Sequence, residues 1–158
     1  MKKIFCVAII FCSTVIISSG QSIKKVKITD IIKMIDTTTS PLLVNFWATW
    51  CGPCVNELKW LEKTTDNYKD VKVILVSLDY GEDYPKGIAD FAKSHGYKAP
   101  IVWLNETDAN YFCDKIDKKW QGTIPVTLMV NNAKKYRVFY DEQLPERQLK
   151  KALDKLVE

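Results

Sequence analysis

Apolar and polar positions fall into blocks along this chain, and their period switches from block to block. Ile31, Ile32, Met34 and Ile35 recur at helical spacing behind Thr29-Asp30, a capping pair, and Pro41 closes the segment. Leu42-Leu43-Val44-Asn45-Phe46-Trp47 is nearly continuous in apolar residues, which predicts a buried strand. A helix follows. Pro53 sits in its first turn, where proline is tolerated, and Val55, Leu58, Leu61 and Glu62 carry it toward Tyr68. VKVILVSL, from Val71 to Leu78, predicts a second buried strand, and Asp79 to Gly87 a polar loop. A helix over Ile88 to His95 ends at Gly96, and Ile101 to Leu104 is a short strand. Ala109, Phe112, Ile116 and Trp120 form one stripe, predicting a helix over 108–120. Val126 to Val130 and Lys135 to Tyr140 then read as a hairpin turning at Asn131-Asn132. Pro145 opens a last helix bearing Leu149, Ala152, Leu153 and Leu156.

Alternating helices and strands predict one α/β domain with helices on both faces of a central sheet. The closing hairpin makes that sheet mixed. A chain of 158 residues is long enough for one such core. The formal charge of +4 is small and its lysines are scattered, so the balance excludes a nucleic-acid-binding surface.

The first twenty residues differ from the rest. Met1-Lys2-Lys3 is positive, Ile4 to Ile17 is apolar apart from Ser13 and Thr14, and Ser18-Ser19-Gly20 supplies small residues. This predicts an export signal over 1–20 cleaved after Gly20, with Cys6 and Cys12 as apolar members of it. The alternative is an uncleaved membrane anchor. The run is shorter than the roughly 20 apolar residues a span needs. Cleavage removes Lys2 and Lys3 and no acid, which lowers the net charge to +2. Residues 21–28 become a polar lead-in and 29–158 the domain. An exported, periplasmic setting permits disulfides.

Cys51, Cys54 and Cys113 remain, too few for a disulfide framework. Cys51-Gly52-Pro53-Cys54 falls where the first strand meets a helix. One helical turn brings the sulfurs within bonding reach, and the unpaired N–H groups of that turn stabilise a thiolate. Cys51, at the tip, is expected to be exposed and to attack first, with Cys54 covered and resolving. A structural disulfide is one alternative, though so small a loop restrains little. Zinc on Cys51, Cys54, Cys113 and His95 is another, but the sequence holds no second closely spaced ligand pair. Cys113, beside Phe112 on an apolar stripe, reads as a packed inert thiol, with a second resolving cysteine as the rival reading. His95, before Gly96, reads as a local cap of the helix end. A thiol peroxidase would need an arginine near the sulfur, and the only two, Arg137 and Arg147, lie far along the chain.

VNFWATWCGPC followed by GTIPVT resembles the thioredoxin superfamily, specifically its exported TlpA/ResA-like thiol-disulfide oxidoreductases, over residues 30–158. The resemblance implies a thioredoxin-like α/β fold with a strand-helix insertion, which Asp79 to Lys119 matches. It implies that Ile124-Pro125 forms a cis-proline loop facing the pair, and that Trp50, Gly52 and Pro53 meet the substrate. Glu57 falls where the exported branch has an acid that moves protons to or from the second cysteine. Asn45 stands where cytosolic thioredoxins carry a buried aspartate. Lys59 departs from the family, which has a helix-kinking proline there; a straighter helix and a lysine close to the sulfurs are the expectations this raises. The implied activity is reduction of protein disulfides, cytochrome c maturation included, by a monomer reloaded by a membrane electron donor. The redox centre is the cysteine pair itself, with no added cofactor or metal. A peptide-binding chaperone and a protein-disulfide oxidant are the alternatives.

Overall fold

A computed structural model describes residues 21–158. The reading of 1–20 as an export signal lies outside the described residues. The first element was not anticipated: Lys24–Val26 in the supposed lead-in forms an edge strand, β1. Helix α1, Ile28–Thr37, begins ahead of the Thr29-Asp30 pair expected to cap it rather than after that pair. Asp30 still serves its start, accepting a hydrogen bond from the Lys27 amide at 2.8 Å from inside the first turn.

Strand β2, Leu42–Trp47, is buried at every position. It leads through a four-residue turn into α2, Gly52–Thr65, and then β3, Lys72–Ser77. Helix α3, Lys86–His95, stops at Gly96, whose φ of 71° is open to glycine at little cost. Strand β4, Ile101–Leu104, precedes α4.

Helix α4 spans only Ala109–Ile116, so the predicted extension to Trp120 is corrected. Asp117 ends it: its carboxylate accepts from the Lys119 amide and its carbonyl from the Trp120 amide, forming a turn. Trp120 reaches the core from that turn, against Phe46 and Phe112, which explains why its spacing resembled a helix. Strands β5, Val126–Asn131, and β6, Tyr136–Tyr140, form the hairpin. Its loop is longer than the two-residue turn expected: a 3₁₀ turn over Asn132–Lys134 precedes Lys135, which has positive φ and is not in the strand. Helix α5, Glu146–Val157, closes the chain.

The six strands form one sheet in the order β1-β4-β3-β2-β5-β6. The first four are mutually parallel; β5 and β6 are antiparallel to their neighbours. Alternation along β2 divides the interior. Leu42, Val44 and Phe46 pack with α1 and α4 on one face, whereas Leu43 and Trp47 pack with α2, α3 and α5 on the other. Asn45 points to this second face, where α2 brings its partner.

Candidate functional site

Strand β2 ends at Trp47, and its carbonyl accepts from the Leu78 amide at the end of β3. The two central parallel strands therefore finish together, and the loops beyond them meet. In such sheets the carboxyl ends of the strands form the site-bearing edge. Here that edge holds Thr49, Trp50 and Cys51 from one loop and Asp79 and Tyr80 from the other.

Cys51 and Cys54 are joined in a disulfide. Cys51 occupies the cap position of α2, and its Sγ accepts from the Cys54 amide at 3.2 Å, one of the orphan donors of the first turn. This is the contact that favours negative charge on sulfur. Cys54 is fully buried. Cys51 is only 6% exposed, which corrects the expectation of an open sulfur at the tip. In the bonded state its Sγ is turned inward, 3.8 Å from the Ile124 carbonyl oxygen. The exposed surface around it belongs to Trp50, Gly52 and Pro53. Ile124-Pro125 is a cis peptide bond, and its loop lies against the pair.

Glu57 lies one helical turn beyond Cys54, on the same face of α2. It is 1% exposed. Its Oε1 accepts from Asn45 Nδ2 at 2.9 Å and from Thr127 Oγ1 at 3.4 Å; its Oε2 accepts from the Leu144 amide at 2.9 Å. Burial pushes its carboxyl up to about 7, against the opposing pull of these hydrogen bonds. Asn45 also donates to Thr127 Oγ1 at 3.0 Å, across the β2–β5 ladder. Thr127 and Leu144 were not anticipated. Thr127 stands directly opposite Asn45 in the register, a signal visible only once strand pairing is known.

Lys59 is exposed, and its Nζ donates to Asn56 Oδ1 at 2.9 Å. Cys113 is buried on the opposite face of the sheet from the pair, with Phe112 and Trp120. Burial raises its thiol to about 11. That position separates it from Cys54 as a second resolving thiol and from the four-ligand zinc arrangement. Among the described residues, no three His, Cys, Asp or Glu side chains are grouped to hold a metal. His95 is exposed at the end of α3, where its Nδ1 lies 3.0 Å from the Phe91 carbonyl. Arg137 donates to the Ile116 carbonyl at the end of α4 and so is engaged away from the sulfurs.

A sheet of this topology with a bonded C-x-x-C at the head of its second helix defines a thioredoxin-like protein. Solved structures agree. A thioredoxin-related protein from Neisseria meningitidis serogroup B superposes with a TM-score of 0.62 at 25% identity, covering 76% of this chain and 87% of that one. StoA from Bacillus subtilis gives 0.58 at 24% identity, with 78% and 87% covered, and supports the fold. In sequence, the thiol-disulfide oxidoreductase ResA of Bacillus subtilis (strain 168) is 28% identical over 100 residues, 63% of this chain and 52% of that protein. The chain thus spans about half the length of that relative. Residues 16–139 match the AhpC/TSA family, and the chain belongs to it.

Proposed function

We propose that this protein is an exported thiol-disulfide oxidoreductase that reduces protein disulfides through Cys51 and Cys54. One observation carries the reading: a bonded cysteine pair at a helix start, its outer sulfur held by a backbone amide and flanked by exposed Trp50. In the reduced state the Cys51 thiolate attacks one sulfur of a client disulfide. That client S–S bond breaks, a Cys51–client bond forms, and one client thiolate leaves. Cys54 then attacks Cys51 Sγ, the mixed disulfide breaks, and the second client thiolate leaves. Two electrons pass to the client, and the protein ends in the disulfide state described above.

Glu57 accepts the Cys54 proton as that thiol becomes a nucleophile. A carboxyl at about 7 can both take and return a proton near neutrality. Ile124-Pro125, Gly52, Pro53 and Trp50 line the approach of the client backbone. Reloading requires a two-electron dithiol donor, which for an exported protein must sit in or across the membrane. The Gly-Pro between the cysteines favours a reductant, with a potential near the roughly −270 mV of thioredoxin. Oxidised haem-binding cysteines of apocytochromes and misoxidised exported proteins are the client classes, served by a monomer. The N-terminal pattern of Met1 to Gly20 supports export.

Insulin reduction with a dithiol donor tests this. Cys51→Ser should abolish turnover, and Cys54→Ser should accumulate a mixed disulfide visible by mass spectrometry. Undiminished turnover in Cys51→Ser would sink the reading. Client binding that survives without any turnover in the wild type would favour a chaperone instead. Equilibration in redox buffers sets the direction, since a potential near about −120 mV would mark an oxidant.

A further inference from the structure

Trp50 and Tyr80 are two of the four large hydrophobic side chains that stand exposed among the described residues, at 55% and 63%. They stack on one another, ring centroids 6.0 Å apart and planes 22° off parallel, beside the reactive cysteine. The stacking is built in by the backbone beneath it. The buried Asp79 carboxylate accepts from the Thr49 amide at 2.9 Å and the Thr49 hydroxyl at 2.6 Å, and from the Ser77 hydroxyl at 2.7 Å. The Asp79 carbonyl accepts from Trp103 Nε1 at 2.8 Å. Residues 49 and 79 are thus fastened together, which holds their successors 50 and 80 ring against ring. A rigid aromatic step loses little freedom when a ligand lands on it.

Two loops of the rim carry acids, and one cation, Lys25 of β1, lies over Tyr84 and Trp103, 5.0 Å and 5.3 Å from their rings. The loop carrying Tyr80 holds Glu82 and Asp83, and no base before Lys86, which is ion-paired with Asp90. The loop 141–145 holds exposed Asp141 and Glu142; its Gln143 donates to the Pro53 carbonyl at 3.1 Å, which places it at the cysteine motif. The third loop of the rim, 117–123, differs: Asp117 is followed there by Lys118 and Lys119. The acidic surroundings therefore belong to the Trp50–Tyr80 side and the Pro53 side.

Any client cysteine that reaches Cys51 must bring its neighbouring residues over this step. We infer that the stacked Trp50–Tyr80 pair, with Glu82 and Asp83 on its own loop and Asp141 and Glu142 on the Pro53 side of the cysteine motif, selects client segments with an arginine or lysine next to the disulfide cysteine. A cation over an aromatic face is favoured by the ring quadrupole, and the surrounding carboxylates add attraction at longer range. Tyr80 is then a specificity residue and Asp79 a positioning residue. The inference rests on the oxidoreductase reading and names its substrate class.

The test uses disulfide-bonded peptides identical except for Arg, Leu or Glu beside one half-cystine. Second-order rate constants for oxidation of the reduced full chain are read by quenched alkylation and mass spectrometry. The Arg peptide should react about fivefold faster than the Leu peptide, the factor expected of an exposed cation–π contact, and the Glu peptide slowest. The Arg-to-Leu ratio should fall close to one in Tyr80→Ala. It should hold in Tyr111→Ala, which removes an exposed tyrosine from α4. The Arg-to-Glu ratio should shrink in Glu82→Gln/Glu142→Gln and in high salt. Equal rates for the three peptides, a preference for Leu, or an Arg preference undiminished in Tyr80→Ala would overturn the inference. Oxidation by bis(2-hydroxyethyl) disulfide, which has no flanking residue, tests the parent reading separately. Reaction there with no peptide discrimination fails only the docking step, whereas no reaction with any disulfide removes both.

Discussion

With its carboxyl carried to about 7, Glu57 divides its time between two protonation states near neutral pH. An unfolded chain holds the same group close to 4.5. Between those values the native state keeps a proton that the unfolded state has lost, so stability falls as pH rises through the window. Below it both states are protonated; above it both are ionised and the whole penalty stands. The difference is about 3 kcal/mol at roughly 1.4 kcal/mol per pH unit. Urea unfolding of the oxidised protein at pH 5 and pH 8 should show this loss in the wild type and little of it in Glu57→Gln. Parallel behaviour of the two proteins would mean that the charge is not buried as described. The resemblance to the exported oxidoreductases marked Glu57 in the sequence, three residues past Cys54. Its three-point setting was illegible, because Asn45, Thr127 and Leu144 come from three other parts of the chain.

Elements were legible where burial shaped composition. Strands β2 and β5 are buried throughout and read as nearly unbroken apolar runs, and α5 shows its stripe because its other face meets water. Strand β1 was not legible: Lys24-Lys25-Val26 has three residues, two of them exposed lysines, as suits a sheet edge. It is nevertheless fastened. Ile23 is 5% exposed in the core beside α3, Lys25 Nζ lies 5.0 Å from the Tyr84 ring and 5.3 Å from Trp103, and Gln21 donates to the Ala99 carbonyl. Each of these partners lies in the segment from Asp79 to Lys119, so β1 anchors the insertion that carries Tyr80. Ile23→Ala should cost about 2 kcal/mol or more in chemical denaturation, as buried isoleucine truncations do. A loss below about 0.5 kcal/mol would show that the edge strand is dispensable to the fold.

Across the whole molecule the sheet acts as a partition. The bonded pair and Glu57 lie on the side of α2, α3 and α5; Cys113 lies on the side of α1 and α4, with its thiol raised to about 11. After gentle reduction at pH 8, iodoacetamide should label Cys51 within minutes and leave Cys113 unlabelled until denaturant is added, as peptide mass spectrometry would resolve. Prompt labelling of Cys113 in the native protein would place it in contact with solvent and contradict its burial. A second long-range link ties the end of the chain to the chemistry. Trp60 Nε1 donates to the Leu144 carbonyl at 2.9 Å, while the amide of that same residue serves Glu57 and Gln143 holds Pro53. The short bridge between β6 and α5 is in effect the floor under the acid, so cutting the chain after the hairpin would strip away more than a covering helix. Glu57 would lose the Leu144 amide, its one backbone donor among the described residues, and water would enter where a dry proton store had been.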